Sequence, residues 1–202
     1  MVEKHELAEE RRAQIRRAAL TCMSRKGYAR TTMDDIAREC GLSRGAIYWY
    51  YPSKREVFLA LVQEGLGRMS EALGRSASDR YASAAERLAH MLDVAGRLFQ
   101  EEGDVGLVTR DFWSLSRHDA EFERIFRQAY VGFLARVEGV VAEGISKGEF
   151  RPVDATEVAR ILLGMYDGLF FHAALGLPVD WAKVAGTLNE LLEHGLAQGE
   201  GG

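Results

Sequence analysis

Arg44, Tyr48, Trp49 and Tyr50 lie in one heptapeptide, RGAIYWY, which lines up a guanidinium and three aromatic rings on a single short helix. An arginine fork at a helix start can meet O6 and N7 of guanine together, and a phosphate contact is an equally good use of it. Tyr48 suits a phosphate through its hydroxyl, while Trp49 and Tyr50 can pack on sugar or reach base edges. Gly45 and Ala46 carry almost no side chain. They let the backbone approach closely, and Ala46 can touch a thymine methyl. Lys54, in the first turn of a further helix, suits a phosphate, as does Thr31 or Thr32 upstream and the hydroxyl of Ser43. This is the chemistry of reading a duplex. It is not the chemistry of making or breaking bonds.

Such groups need a rigid frame, and the stretch TTMDDIARECGLSRGAIYWYY, Thr31 to Tyr51, supplies one. A helix is expected from about Thr32 to Cys40, with Thr32 as its cap and Asp35 completing a polar box at the positive end of the dipole. Gly41 is the residue type that takes the left-handed conformation, stops a helix and turns the chain. Ser43 then caps a second helix, Arg44 to about Tyr50. Ile36, Leu42 and Ile47 point into a small core, and Tyr51 wedges the second helix against the next. Two short helices about one glycine make a helix-turn-helix. The same spacing occurs in helical proteins that never meet DNA, so charge has to decide. Residues 1–55 hold 12 Lys and Arg against 7 Asp and Glu, whereas residues 56–202 hold 14 against 23. The net charge of −4 hides this split, which puts the basic residues on the motif, where phosphates would sit.

The run from Gly27 to Leu61 resembles the N-terminal DNA-binding domain of TetR-type transcriptional regulators. Gly27-Tyr28, Thr31-Thr32, Ile36-Ala37, Gly41-Leu42-Ser43, Tyr48 and Ser53-Lys54 stand where that family's pattern places them. Ser43 to Trp49 looks most like the branch containing the AcrR-like efflux repressors. Tyr50-Tyr51 and Cys40 are mild departures from that pattern. The resemblance implies repression of transcription as the commoner outcome, and it names no effector.

The rest of the chain reads as helices without a convincing strand. The expected class is all-α, about nine helices, with a helix-turn-helix domain over 1–53 and a ligand-binding and dimerisation domain over 54–202. The first helix, about Leu7 to Lys26, carries Ile15, Ala18, Ala19, Cys22 and Met23 as an inward stripe and ends at Gly27. Further helices are expected over 54–73, 83–101, 105–115, 119–147, 154–176 and 178–198, with a Ser- and Gly-rich linker over 74–82. The charged start has no apolar core of a signal peptide. Ile161 to Val179 is the most apolar stretch, but Asp167 and His172 interrupt it, which suits a buried interface helix better than a bilayer span. Cys22 and Cys40 fit no metal spacing and read as reduced core residues of a cytoplasmic protein. No catalytic set, metal site or cofactor fingerprint is expected.

One such module offers few base contacts, so a homodimer on a palindromic operator is expected. The helix over 154–176, with Ile161, Leu162, Met165 and Leu169 and with Gly164 and Gly168 four apart, would form the contact together with the helix over 178–198. Phe112, Trp113, Phe126, Tyr130, Met165, Tyr166 and Phe170 supply aromatic and soft material for a small-molecule pocket, so an apolar or amphipathic effector is expected. Asp167 is the lone acid in that apolar surround, with hydrogen bonding as its expected role.

Overall fold

The computed structural model describes residues 2–76, 83–101, 115 and 119–196. Among these residues it contains eight helices and no strand: α1 (Val2–Arg30), α2 (Met33–Glu39), α3 (Arg44–Tyr50), α4 (Lys54–Ser76), α5 (Ala84–Glu101), α6 (Ala120–Ser146), α7 (Ala155–Ala174) and α8 (Trp181–Leu196). The all-α expectation holds. The helix expected over 105–115, which would be the ninth, falls outside the described residues except for Leu115, as do Phe112, Trp113 and the linker residues 77–82. The chain forms two compact units, Met1–Gly67 with Glu102–Ile125, and Arg68–Glu101 with Phe126–Gly202. The division falls inside α4 and inside α6.

The first unit is built on α1, α2 and α3, which pack mutually. The inward stripe of α1 is buried as its spacing requires, from Ile15 and Ala19 to Met23, and closes on Ile36, Ala37, Cys40, Ile47 and Tyr51. Gly27 breaks α1 at φ 80° and ψ 160°, and one more turn follows it. Thr32 and Asp35 form the reciprocal box: the Asp35 amide donates to Thr32 Oγ1, and the Thr32 amide donates back to the Asp35 carboxylate. Gly41 sits at φ 67°, and the amides of Gly41 and Leu42 donate to the carbonyls of Arg38 and Ala37. That pair of bonds satisfies carbonyls a helix end otherwise leaves open. Gln14 covers another, donating to the Cys40 carbonyl at 2.8 Å. Val57, Phe58 and Leu59 of α4 complete this core, with Phe58 between Tyr28 (4.7 Å) and Phe122 (5.6 Å). Each fully buried ring or branched chain of this kind contributes about 1.5–3 kcal/mol.

In the second unit α5 packs against α8 and α7. Its apolar face of Leu88, Met91, Leu92 and Ala95 meets Val140, Val141, Phe150, Trp181, Leu188 and Leu192. Two polar contacts hold the start of α5. Buried Arg87 pairs with Glu143 at 2.8 Å, and the Ala84 amide at the head of α5 donates to Glu149 at 2.5 Å. No helix among the described residues is long and apolar enough to cross a membrane.

Candidate nucleic-acid and effector sites

The reading helix α3 is short because Ser43 starts it, accepting from the Ala46 amide at 3.2 Å, and Tyr51 leaves it in an extended conformation. One face is anchored by Ile47, which is fully buried. The opposite face is free: Trp49 is 84% exposed and Tyr48 41%. Arg44 is exposed and leans on Asp34 at 3.3 Å, with its guanidinium 5.8 Å from the Tyr48 ring centre. An ion pair in so much water stabilises little, so Arg44 can exchange Asp34 for a base edge or a phosphate at small cost. A side chain at Gly45 would meet nothing within 4 Å, so this turn of α3 is open to a close backbone approach.

Two residues expected at the phosphates are committed elsewhere. Thr31 is 1% exposed and donates its hydroxyl to the Gly27 carbonyl at 2.9 Å. Lys54 donates to the carbonyls of Tyr28 (2.7 Å) and Ala29 (3.2 Å) and lies 4.3 Å from the Tyr28 ring centre. Burial, and then Lys26 nearby, lower its pKa. Both side chains fasten the end of α1. Thr32 keeps an exposed hydroxyl beside the start of α2. Lys26 pairs with Asp35, whose carboxyl is held well below its usual range by that pair and by Thr32.

Arg55 is the functional candidate with no local sequence signal. Its guanidinium makes two bonds to Asp119, at 2.7 and 2.8 Å, and a third to Glu121 at 2.8 Å, and it stands 5.1 Å from the Phe122 ring centre. The Asp119 carboxyl is lowered to about 2 by this bonding. The start of α4 is thereby clamped to the start of α6.

The effector candidates separate into two groups. Met165 and Tyr166 pack on the core of the second unit; Tyr166 lies 5.8 Å from the Trp181 ring and bonds the Ala95 carbonyl at 3.4 Å. Phe126, Tyr130 and Phe170 are half-buried, with the Phe126 and Tyr130 ring centres 5.9 Å apart. The Tyr130 hydroxyl donates to Asp167 at 2.8 Å. Burial pushes the Asp167 carboxyl up while this bond pulls it back, and the Tyr130 phenol is raised to about 12.

Comparison with known proteins places this geometry. Residues 15–61 match the model of bacterial regulatory proteins of the tetR family, and residues 84–197 match that of the BetI-type transcriptional repressor C-terminal domain. The regulator TtgR of Pseudomonas putida is 31% identical over 202 residues, covering 95% of this chain and 92% of that protein. The chain belongs to the TetR family. Its relatives are DNA-binding transcriptional regulators, and so is this chain. Two solved TetR-like structures share its fold. A putative transcriptional regulator from Saccharomonospora viridis in complex with choline has a TM-score of 0.78 at 25% identity, covering 95% of this chain and 100% of that one. FadR from Bacillus subtilis in complex with stearoyl-CoA has a TM-score of 0.77 at 24% identity, covering 91% and 98%.

Proposed function

We propose that this TetR-family chain binds a palindromic operator as a homodimer and leaves it when a small amphipathic molecule enters the second unit. The observation that carries the DNA reading is α3 itself, buried through Ile47 and bare through Arg44, Tyr48 and Trp49. Thr32, Ser43, Arg44, Gly45, Ala46, Tyr48, Trp49 and Tyr50 form the contact surface, and Thr31 and Lys54 hold the end of α1 behind it. Residues 1–53 read DNA, and residues 54–202 bind the effector and the second copy. The protein acts in the cytoplasm.

Exposed apolar groups on α7 and α8, Ile161 at 70% and Leu191 at 64%, support dimerisation through these two helices. Side chains added at Gly164 and Gly168 would also meet nothing, which leaves room for a partner helix. Two reading helices about 34–36 Å apart would then occupy successive major grooves. Effector binding changes the packing of the helices around it, and α4 is unbroken from Lys54 to Ser76, so a change in its tilt reaches α3. A hundredfold loss of operator affinity requires the effector to prefer the released state by about 2.7 kcal/mol. Selection of bound fragments from random DNA at two salt concentrations tests the reading. A symmetric site and a steep salt slope are expected; an asymmetric site bound by one subunit would end it.

A further inference from the structure

The reading arginine is held before any duplex arrives. Arg44 Nε lies 3.3 Å from Oδ1 of Asp34, and Nη1 donates to Oδ2 of the same carboxylate at 3.4 Å. The Tyr48 ring, one turn along α3, has its centre 5.8 Å from the guanidinium carbon. One edge of the guanidinium is thus turned to an acid, and among the described residues no hydrogen bond occupies Nη2. Asp34 differs in this from the other acids of α2. Asp35 pairs with Lys26 and Glu39 with Arg25, both on α1, whereas Asp34 pairs with the reading helix. Its side chain is 51% exposed, so whatever Arg44 meets also meets Asp34.

An acid here is a cost to a head that must approach phosphates, and it serves a purpose only if it separates one contact from another. The ion pair itself is too exposed to hold the fold. Its effect is a difference between two destinations. A phosphate that takes Arg44 brings a second negative charge beside Asp34, and the two repel. A guanine edge offers O6 and N7 without net charge, so Arg44 can reach it through its terminal nitrogens while Asp34 stays at Nε. We propose that Asp34 is a positioning residue: it steers Arg44 from phosphates to a base edge, sharpening the choice of sequence and weakening affinity for DNA at large. The proposal rests on the DNA reading of the preceding subsection and goes further, naming the residue that decides between the two contacts open to Arg44.

Binding of the full chain to its selected operator and to a random-sequence duplex of equal length, measured by fluorescence anisotropy at several salt concentrations, tests it. Asp34→Asn keeps the size of the side chain and removes its charge. It should lower the ratio of operator affinity to random-duplex affinity by about fivefold, two subunits acting together, and steepen the salt slope of random binding. Glu39→Gln removes the same charge from α2 without touching Arg44, and should leave that ratio unchanged. In an Arg44→Ala background Asp34→Asn should also leave it unchanged, because the residue acted on is gone. A ratio that does not fall in Asp34→Asn overturns the proposal, even if both duplexes bind more tightly, since Asp34 then acts by net charge alone. So does an equal fall in Glu39→Gln, or a fall that persists without Arg44. Each of these results leaves the DNA reading standing. An unmodified chain that binds no duplex at low salt overturns the DNA reading and the proposal together.

Discussion

The two units of this chain solve different problems with different materials. In the first, polar groups are answered close at hand and the working face is charged and aromatic: Thr32 boxes with Asp35, Ser43 caps Ala46, and Arg44 rests on an exposed carboxylate. In the second, apolar area dominates, and some of it remains uncovered on α7 and α8. A helix that must be presented in one pose to a rigid duplex benefits from short, directional bonds at its ends. A bundle proposed to accept a ligand and a second copy benefits from broad surfaces with few fixed partners. The most damaging change should therefore be one that removes the second copy. Ile161→Asp with Leu191→Asp places charge on both exposed apolar patches. Sedimentation should show a dimer becoming a monomer, and operator binding should be lost at concentrations where the unmodified protein saturates. A double variant that stays dimeric would move the interface elsewhere.

Next in size is the reading arginine. One bidentate base contact contributes about 1–3 kcal/mol, and a dimer uses it twice, so Arg44→Ala should weaken operator binding by about thirtyfold or more. Thermal stability should hardly change, because the Asp34 partner is exposed. A loss confined to one base-pair position in each half-site marks a base contact; a uniform loss across sequences with a shallower salt slope marks a phosphate contact.

Two glycines sharpen the contrast between the units. A Cβ at Gly45 of α3 would meet nothing, whereas a Cβ at Gly96 of α5 would stand 2.1 to 2.4 Å from three atoms of the Trp181 ring. That ring is 2% exposed and has nowhere to retreat. Gly96→Ala should cost about 1–3 kcal/mol in urea unfolding. Gly45→Ala should leave stability intact and lower DNA affinity. Equal behaviour of the two variants would contradict the difference in packing described here. Smaller again is Thr32→Ala, which removes one cap and should cost about 1 kcal/mol.

How much of this could be read before the fold follows the reach of each contact. The box of Thr32 and Asp35, the turn at Gly41 and the cap at Ser43 span three or four residues, so spacing alone reveals them. The α1 stripe is equally legible, since its period shows which face turns inward. Lys54 has partners that spacing does not reveal. Its place in the first turn of α4 invites a phosphate, but its partners are carbonyls 26 and 25 residues earlier. Arg55 with Asp119, 64 residues apart, and Tyr130 with Asp167, 37 apart, leave no periodic trace at all. Among the effector candidates, composition flags aromatic residues but cannot separate Tyr166, which packs on Trp181, from Tyr130, which faces a carboxylate.

The Arg55 clamp yields the smallest prediction, and it tests whether directional bonding in the first unit extends beyond the three-helix head. The Asp119 carboxyl is lowered to about 2, below the ordinary value of 3.8, because its hydrogen bonds with Arg55 favour the charged form. A depressed carboxyl contributes stability that is complete above the ordinary value and is lost as pH falls through the folded one. Asp119→Asn should therefore lower the urea midpoint at pH 7, and the gap from the unmodified protein should close between about pH 4 and pH 2. The pair is partly exposed, so added salt should narrow the gap at neutral pH as well. A gap that stays constant through the acid range would mean that the Asp119 charge on Arg55 is not its source, and a gap that is absent at every pH would mean that Asp119 acts by capping the start of α6, where it accepts from the amides of Glu121 and Phe122 and where Asn caps as well.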